Sequence, residues 1–471
     1  MLDNRRTKAD SGDIEPVTSS PRKRGTRAGD GTLHPWVPAF AGTATAKERR
    51  RRFTEISAIV FGRLTVSLAA LALLASPAVA AEPIKIGFGM ALTGGLAANG
   101  KSALVAMKLW EADVNAKGGL LGRPVQLVFY DDQSNPSTVP AIYSKLLDVD
   151  KVDLVIGGYA TNMLAPAMPV VMQHDMTFIG LLGLAVNTEF HYPKYFAMIP
   201  TGINAKVDFS RGFFDVAMAQ SPKPKTIAMI AADAEFARNA GDGARQNAKS
   251  AGLEIVYDKT YPPTTVDFTP IVRAIQATNA DIVYVASYPP DTAGMVSTIN
   301  EIGLKTKLCC GGMVGLQSAA LKTKLGAALN GIVNYDFWLP APSMQFPGMM
   351  ELLQKYQAKA PGEGVDPLGY YMPPFAYADL QVLGEAVEGT KSLDQDKLAD
   401  YLRSHSFKTV AGDVKFGENG EWSEARVLQI QFQHIKGNDL QQFKDPSSQV
   451  ILAPEKYASG KVIYPFADAR E

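Results

Sequence analysis

At 471 residues the chain exceeds what one hydrophobic core usually serves, and its 46% hydrophobic content is enough to fill two domains. Its 47 basic and 47 acidic residues balance, but residues 1 to 81 hold 13 of the former and 7 of the latter; the remainder has 34 against 40, a net charge of −6. A mildly acidic body has no Lys and Arg footprint for neutralising phosphates, which excludes a nucleic-acid partner.

Residues 1 to 50 supply turn formers and charge without an apolar period, as in Ser19-Ser20-Pro21-Arg22-Lys23-Arg24-Gly25, and read as a disordered or non-native leader. The cluster Arg49 to Arg52 precedes an apolar run from Leu64 to Ala75, and small residues follow at Ser76-Pro77-Ala78-Val79-Ala80-Ala81. Positive flank, short apolar run and small-residue cleavage site predict a signal peptide over 51–81 and export to the periplasm. Arg63 interrupts the stretch from Ile56 to Ala81 and argues against an uncleaved anchor. Beyond it no stretch is long and apolar enough to cross a bilayer.

From Pro83 the periods alternate. An apolar strand at Ile84 to Met90 leads into a small-residue loop, Thr93 to Gly100. A helix follows, with Ala103, Met107, Trp110 and Val114 at helical spacing and Gly118-Gly119 as its stop. A second strand at Val125 to Tyr130, a helix at Ser137 to Asp148 and a third strand at Val152 to Gly157 complete βαβαβ, the unit of a parallel doubly wound sheet.

The pattern recurs with a strand at Thr226 to Ala231, a loop at Asp233 to Asn239, a helix ending at Gly252, a strand at Leu253 to Tyr257, a helix at Phe268 to Ala277 and a strand at Asp281 to Ala286. The two third strands share wording and both run on to a tyrosine, Tyr159 and Tyr288. Ligands of open parallel sheets bind beyond the carboxyl ends of strands, so these tyrosines belong where two such lobes face each other. Cys309 and Cys310, the only cysteines, are adjacent; a long-range disulfide within the chain is excluded, and they read as core residues at an apolar strand end.

Gly95 to Ser102 spells a complete G-x-x-x-x-G-K-S phosphate loop between strand and helix, and Asp131-Asp132 could pose as a magnesium-holding carboxylate. An exported chain meets few nucleoside triphosphates, so a P-loop NTPase is the lesser reading; the glycines serve a tight turn, with Lys101 and Ser102 at the start of the helix. There is no G-x-S-x-G or H-E-x-x-H, and the five histidines have no ligand spacing. No catalytic residue, metal site or cofactor is assigned.

Several stretches resemble the branched-chain amino-acid family of ABC-importer binding proteins, the type I periplasmic binding proteins with the leucine-binding fold. They are Ile84-Lys85-Ile86-Gly87 with Thr93-Gly94, the run Asp113 to Arg123, the run Tyr130 to Pro136, Val155-Ile156-Gly157-Gly158, and Gly303-Leu304-Lys305. The likeness spans Ile84 to about Phe443. It implies an α/β fold of two doubly wound parallel-sheet lobes joined by a three-strand hinge. Lobe one would be 83–201 plus 336–430, and lobe two 202–335 plus 431–471, with crossings near Thr201, Tyr335 and Ile430.

The resemblance also implies a ligand cleft. The hydroxyl residue after the Ile-Gly-Gly turn falls on Thr161, with Tyr159 and Ala160 before it, and Thr161 is the candidate to grip a ligand carboxylate. A small-residue turn offering backbone amides and a second hydroxyl falls on Leu182, Gly183 and Leu184, where no hydroxyl stands. Aromatic contacts fall on Phe236 and Tyr288, and Asn99 takes a further aromatic position. The family's acid for an α-ammonium group falls near Gly312 and Met313, where there is no carboxylate; Asp233 or Glu235 is the candidate replacement. Because a buried ammonium without a counter-charge costs several kcal/mol, the expected ligand is a small carboxylate or amide with an apolar or aromatic body. The partners implied are that small molecule and the membrane permease of an ABC importer, with the binding protein a monomer. The rival of the same fold is a ligand-binding sensor module. A repressor is excluded because residues 1 to 82 hold no helix-turn-helix pattern.

Overall fold

Strands rich in Ile, Val and Ala alternate with helices from Ile84 onward, and strands buried on both faces must be covered by helices on both sides. The computed structural model describes residues 81–470; the leader expected over 1–50 and all but the last residue of the signal peptide expected over 51–81 lie outside them. Five strands, β1 (Ile84–Met90), β2 (Val125–Asp131), β3 (Leu154–Tyr159), β4 (Phe178–Leu181) and β5 (Tyr195–Met198), form an all-parallel sheet in the order β2-β1-β3-β4-β5. A second sheet starts from β6 (Thr226–Ala232), β7 (Glu254–Tyr261), β8 (Ile282–Ser287), β9 (Leu308–Met313) and β10 (Ile332–Asp336), again parallel and in the equivalent order β7-β6-β8-β9-β10. The fold is therefore α/β with two lobes on one plan. The order reverses beside β1 in one lobe and β6 in the other, which puts a switch-point crevice at the carboxyl end of each sheet.

After β10 the chain returns to the first lobe. Its helix Met372–Thr390 packs along Ala97–Ala116, and a two-stranded ribbon of β11 (Ser406–Thr409) and β12 (Gly412–Lys415) follows. Then β13 (Leu428–Phe432) and β14 (Gln449–Ala453) extend the second sheet antiparallel, Leu428 opposite Asp336 on β10. The passages between lobes run side by side, with the Arg426 amide donating to the Pro200 carbonyl at 2.8 Å. The guanidinium of buried Arg426 lies over the rings of Phe346 and Trp422, 4.8 and 5.1 Å from their centroids. No helix among the described residues is long and apolar enough to cross a membrane.

Two local expectations are corrected. The loop read over Thr93 to Gly100 ends at Leu96, and Ala97–Ala116 is helical. The Ala97 amide donates to the Gly94 carbonyl and those of Asn99 and Gly100 to the Leu96 carbonyl, so these groups are committed to the helix and do not form a phosphate cradle. Lys101 is exposed, the Ser102 hydroxyl accepts from Tyr356 at 3.0 Å, and Asp131 caps the turn, accepting from the amides of Leu92, Thr93 and Gln133. The loop read over Asp233 to Asn239 is likewise helical from Glu235, because Glu-Phe-Ala-Arg continues good helix formers after an extended Ala234. Cys309 and Cys310 are core residues within β9, as their apolar surroundings predict, and they are in addition joined to each other by a disulfide.

Candidate functional site

Strand β3 ends in Gly157-Gly158-Tyr159. A Cβ on Gly158 would stand 2.0 Å from the Gly89 carbonyl oxygen and one on Gly157 2.0 Å from Leu164, so only glycine lets β3 run against β1 with a helix folded back on it. Ala160 makes that turn at φ 86°, a conformation L-residues avoid, and the helix Thr161–Gln173 starts immediately after it. The Ala160 carbonyl accepts from the amides of Met163 and Leu164. The first amides of the helix, at Thr161 and Asn162, precede any intrahelical bond, and with the helix dipole they favour negative charge. The Thr161 hydroxyl is buried and accepts from the Leu184 amide at 3.0 Å, which leaves its own proton to donate.

Across the cleft, β8 ends in Ser287 and Tyr288, and Tyr288 heads the helix Pro289–Ile302 with its backbone amide on Asp291. The Tyr288 hydroxyl donates to the Asn162 side-chain oxygen at 2.7 Å and accepts from the Phe236 amide at 3.0 Å. Between the lobes lies a cavity of about 20 Å³ lined by Leu96, Tyr159, Ala160, Thr161, Leu182, Ile199, Phe236, Tyr288, Val314, Tyr335, Phe337 and Tyr371. Aromatic rings dominate it. Phe236 stands edge-on to Tyr288 with centroids 5.8 Å apart, Phe337 stacks on Tyr371 at 5.8 Å, and Tyr159 meets Tyr371 edge-on at 6.4 Å.

No wall residue carries a formal charge at neutral pH. Burial pushes the Tyr159 phenol up to about 12 and raises those of Tyr288, Tyr335 and Tyr371 further, so all four remain neutral hydroxyls. The Tyr335 and Tyr371 hydroxyls lie 3.2 Å apart, and the Asn99 side chain donates to the Tyr159 hydroxyl at 2.8 Å. The wall thus offers a hydroxyl at a helix N-terminus, an apolar and aromatic middle, and a set of tyrosine hydroxyls.

Of the residues singled out in sequence, the structure brings Tyr159, Ala160, Thr161, Phe236 and Tyr288 to this cavity. Asn99 is outside the wall and supports Tyr159 from behind. Leu184 holds Thr161 through its amide and accepts from the Asn239 side chain through its carbonyl at 3.0 Å, while Gly183 packs under Leu164 and Val186. Neither Asp233 nor Glu235 reaches the wall. Asp233 is 55% exposed and paired with Arg238 at 2.9 Å; burial and the Glu189 carboxylate raise the pKa of Glu235. Beside Met313, the Asn334 side chain bonds both the amide and the carbonyl of that residue, and Val314 faces the cavity.

Sequence reading missed Tyr335, Phe337 and Tyr371, which arrive from the second inter-lobe passage and the turn before Met372–Thr390. The available signal was the aromatic pair Tyr370-Tyr371 behind Gly369 and ahead of Pro373-Pro374. A larger groove of about 600 Å³ runs past Asn187, His191, Lys206 and Glu418, but it contains none of the residues where the strand ends of the two lobes converge.

A periplasmic binding protein family profile matches residues 83–431. The leucine-, isoleucine-, valine-, threonine- and alanine-binding protein of Pseudomonas aeruginosa is 25% identical over 76% of this chain and 93% of its own. Among solved structures, a branched-chain amino acid transporter substrate binding protein from Streptococcus pneumoniae, in complex with isoleucine, superposes with a TM-score of 0.64 at 18% identity, covering 82% of this chain and 100% of its own. A solute binding protein of an ABC transporter from Rhodopseudomonas palustris, in complex with 3,4-dihydroxybenzoic acid, gives 0.63 at 19% identity over 75% and 94%. With the family profile spanning most of the described residues and the same two-lobed fold in these structures, the chain belongs to the periplasmic binding protein family.

Proposed function

We propose that this chain is the extracytoplasmic solute-binding component of an ABC importer. It captures a small carboxylate with an apolar or aromatic body, without needing an α-ammonium group. The observation that carries this reading is the cavity wall: a buried Thr161 hydroxyl at a helix N-terminus, aromatic faces on all sides and no side chain of formal charge. A carboxylate would accept hydrogen bonds from the Thr161 hydroxyl and the first helix amides, while the tyrosine hydroxyls would meet a polar group at the far end of the ligand. Asn99, Gly183 and Leu184 act from behind, positioning Tyr159 and Thr161.

A space of about 20 Å³ holds one or two water molecules, so a solute of amino-acid size enters only when the lobes part. Lobe one would comprise 83–201 plus 337–427 and lobe two 202–336 plus 428–471, a small shift from the 336 and 430 crossings because β10 runs to Asp336 and β13 starts at Leu428 in the second sheet; closing is a hinge motion between two pre-existing states. The permease would read the closed state of a monomeric partner in the periplasm, reached through cleavage of the 51–81 signal segment. The binding protein itself performs no catalysis. A sensor module would use the same cleft and differ only in what reads it.

A second reading, capture of an aliphatic amino acid, is favoured by the named specificity of the Pseudomonas aeruginosa relative. Thermal unfolding of residues 82–471 against aromatic acids, short-chain acids, amides and amino acids separates the two. A ligand at a hundred times its Kd stabilises by about 2.7 kcal/mol. The expected result is a shift with aromatic carboxylates, and a loss of affinity of about 10- to 100-fold in Thr161→Ala, which removes a charge-assisted hydrogen bond. Shifts with leucine and valine but none with the acids would establish the amino-acid reading, and no shift with any class would sink both.

A further inference from the structure

Two side chains outside the cavity wall connect the lobes directly. Asn162, on the helix that follows β3, accepts the Tyr288 hydroxyl at 2.7 Å and lies 3.4 Å from the Phe236 amide; both partners belong to the other lobe and both line the cavity. Tyr288 is one link further on, since its hydroxyl oxygen also accepts the Phe236 amide at 3.0 Å. Asn239, one turn past Phe236, reaches the Leu184 carbonyl of the first lobe at 3.0 Å, and Leu184 is the residue whose amide holds Thr161.

We propose that Asn162 is the latch of the closed state, a positioning residue that draws the lobes together through the Tyr288 hydroxyl and, in the same contact, sets the rings of Tyr288 and Phe236 against the ligand space. Asn239 is its second point of attachment. This rests on the two-lobe binding reading above, but not on the identity of the solute. The chemistry is specific to an acceptor at Asn162. Tyr288 is a neutral donor, and the Phe236 amide heads the first turn of Glu235–Ser250, where no intrahelical carbonyl is available to it. An oxygen projecting from the opposite lobe accepts the Tyr288 proton when the cleft is shut, and that proton turns to water when it opens, while the Phe236 amide keeps the Tyr288 oxygen of its own lobe at 3.0 Å. The bond is therefore made only in the closed state, which is the differential contact a conformational equilibrium requires.

The test measures inter-lobe distance without any solute. Spin labels on the double variant V149C/V266C, at positions 69% and 92% exposed in the first and second lobes, report the distance distribution by pulsed electron paramagnetic resonance. With one hydrogen-bonded contact removed, Asn162→Ala is expected to lower the closed-to-open ratio by about five- to tenfold. Tyr288→Phe should do the same, and Asn162→Ala combined with Tyr288→Phe should lose no more than either alone, because both remove the same inter-lobe bond and the Phe236 amide contact that Tyr288→Phe also removes lies within one lobe. Asn162→Asp retains an acceptor oxygen and should keep most of the closed population. An unchanged distribution in Asn162→Ala, or additive losses in the double variant, would overturn the latch. A parent protein that is entirely open before and after Asn162→Ala overturns it as well. None of these outcomes bears on which solute is bound.

Discussion

The Gly100→Ala variant is expected to lose about 3 kcal/mol of stability, read as a fall in the urea midpoint at unchanged slope. Gly100 lies one turn into the helix Ala97–Ala116, where the helix crosses the end of β1, and a Cβ there would stand 2.0 Å from the Ala91 carbonyl oxygen and 2.7 Å from its carbon. Both are backbone atoms, so no rotamer change relieves the overlap; the helix must lift from the strand and take with it the packing of Leu104 and Met107. Lys101→Ala, next in sequence on the exposed side, should change stability by less than about 0.5 kcal/mol. The contrast separates the two meanings of the G-K-S pattern. A phosphate loop would depend on the lysine for phosphate release with Mg²⁺ and ATP, whereas a close-packed helix start depends on the glycine for folding. A Gly100→Ala protein that melts with the parent would mean this helix start has slack that the distances deny.

The second large effect is a loss of stability as pH rises, originating in buried acids of the first lobe and the inter-lobe passages. Glu421 is 3% exposed, its Oε2 has no partner among the described residues, and burial pushes its carboxyl up to about 8. Asp379 is fully buried, neither of its oxygens has a partner among the described residues, and burial raises it well above the carboxylate range. Asp132 and Asp336 are raised to about 6, again chiefly by burial. A raised folded pKa means that the native state holds a proton the unfolded chain releases near pH 4 to 4.5. The stabilisation is complete below the unfolded value and is lost as pH rises through the folded one.

Between about pH 5 and pH 8 the Glu421 contribution alone should fall by roughly 1.4 kcal/mol per pH unit. Glu421→Gln carries a neutral group of the same shape and should flatten the urea-midpoint profile by about one proton's worth over that window. Asp379→Asn should extend the flattening to higher pH. An unaltered slope in Glu421→Gln would show that this carboxyl ionises within the fold at little cost.

How far the sequence reaches depends on whether a feature is local. Periodicity and strand-ending tyrosines were enough to give two βαβαβ units, and with the family likeness they placed Tyr159, Thr161, Phe236 and Tyr288 at the cleft. Each of these sits at the carboxyl end of a strand or in the first turn of the helix behind it, where sheet topology alone sets the position. The loop boundary at Ala97 was misread because small residues serve a tight turn and a close-packed helix start equally well, and the one at Glu235 because the helix begins directly after the single extended residue Ala234.

Tertiary structure decided the rest, wherever a residue's role depends on chain far from it in sequence. Tyr335 reaches the cavity from the end of β10 at the second passage between lobes and Tyr371 from a turn ahead of a helix, places where the packing of the passages and not a local period decides which side chain faces the cleft. Asn162 looks like any helix-start asparagine until Tyr288, 126 residues on, brings its hydroxyl to it. By itself the sequence determined a two-lobed α/β chain and the absence of an acid near Gly312 and Met313, because strand and helix periods and local composition are properties of neighbouring residues. Only the folded chain decided which aromatic rings enclose the ligand space and which side chains hold the lobes together, because those follow from long-range packing at the meeting of two sheets.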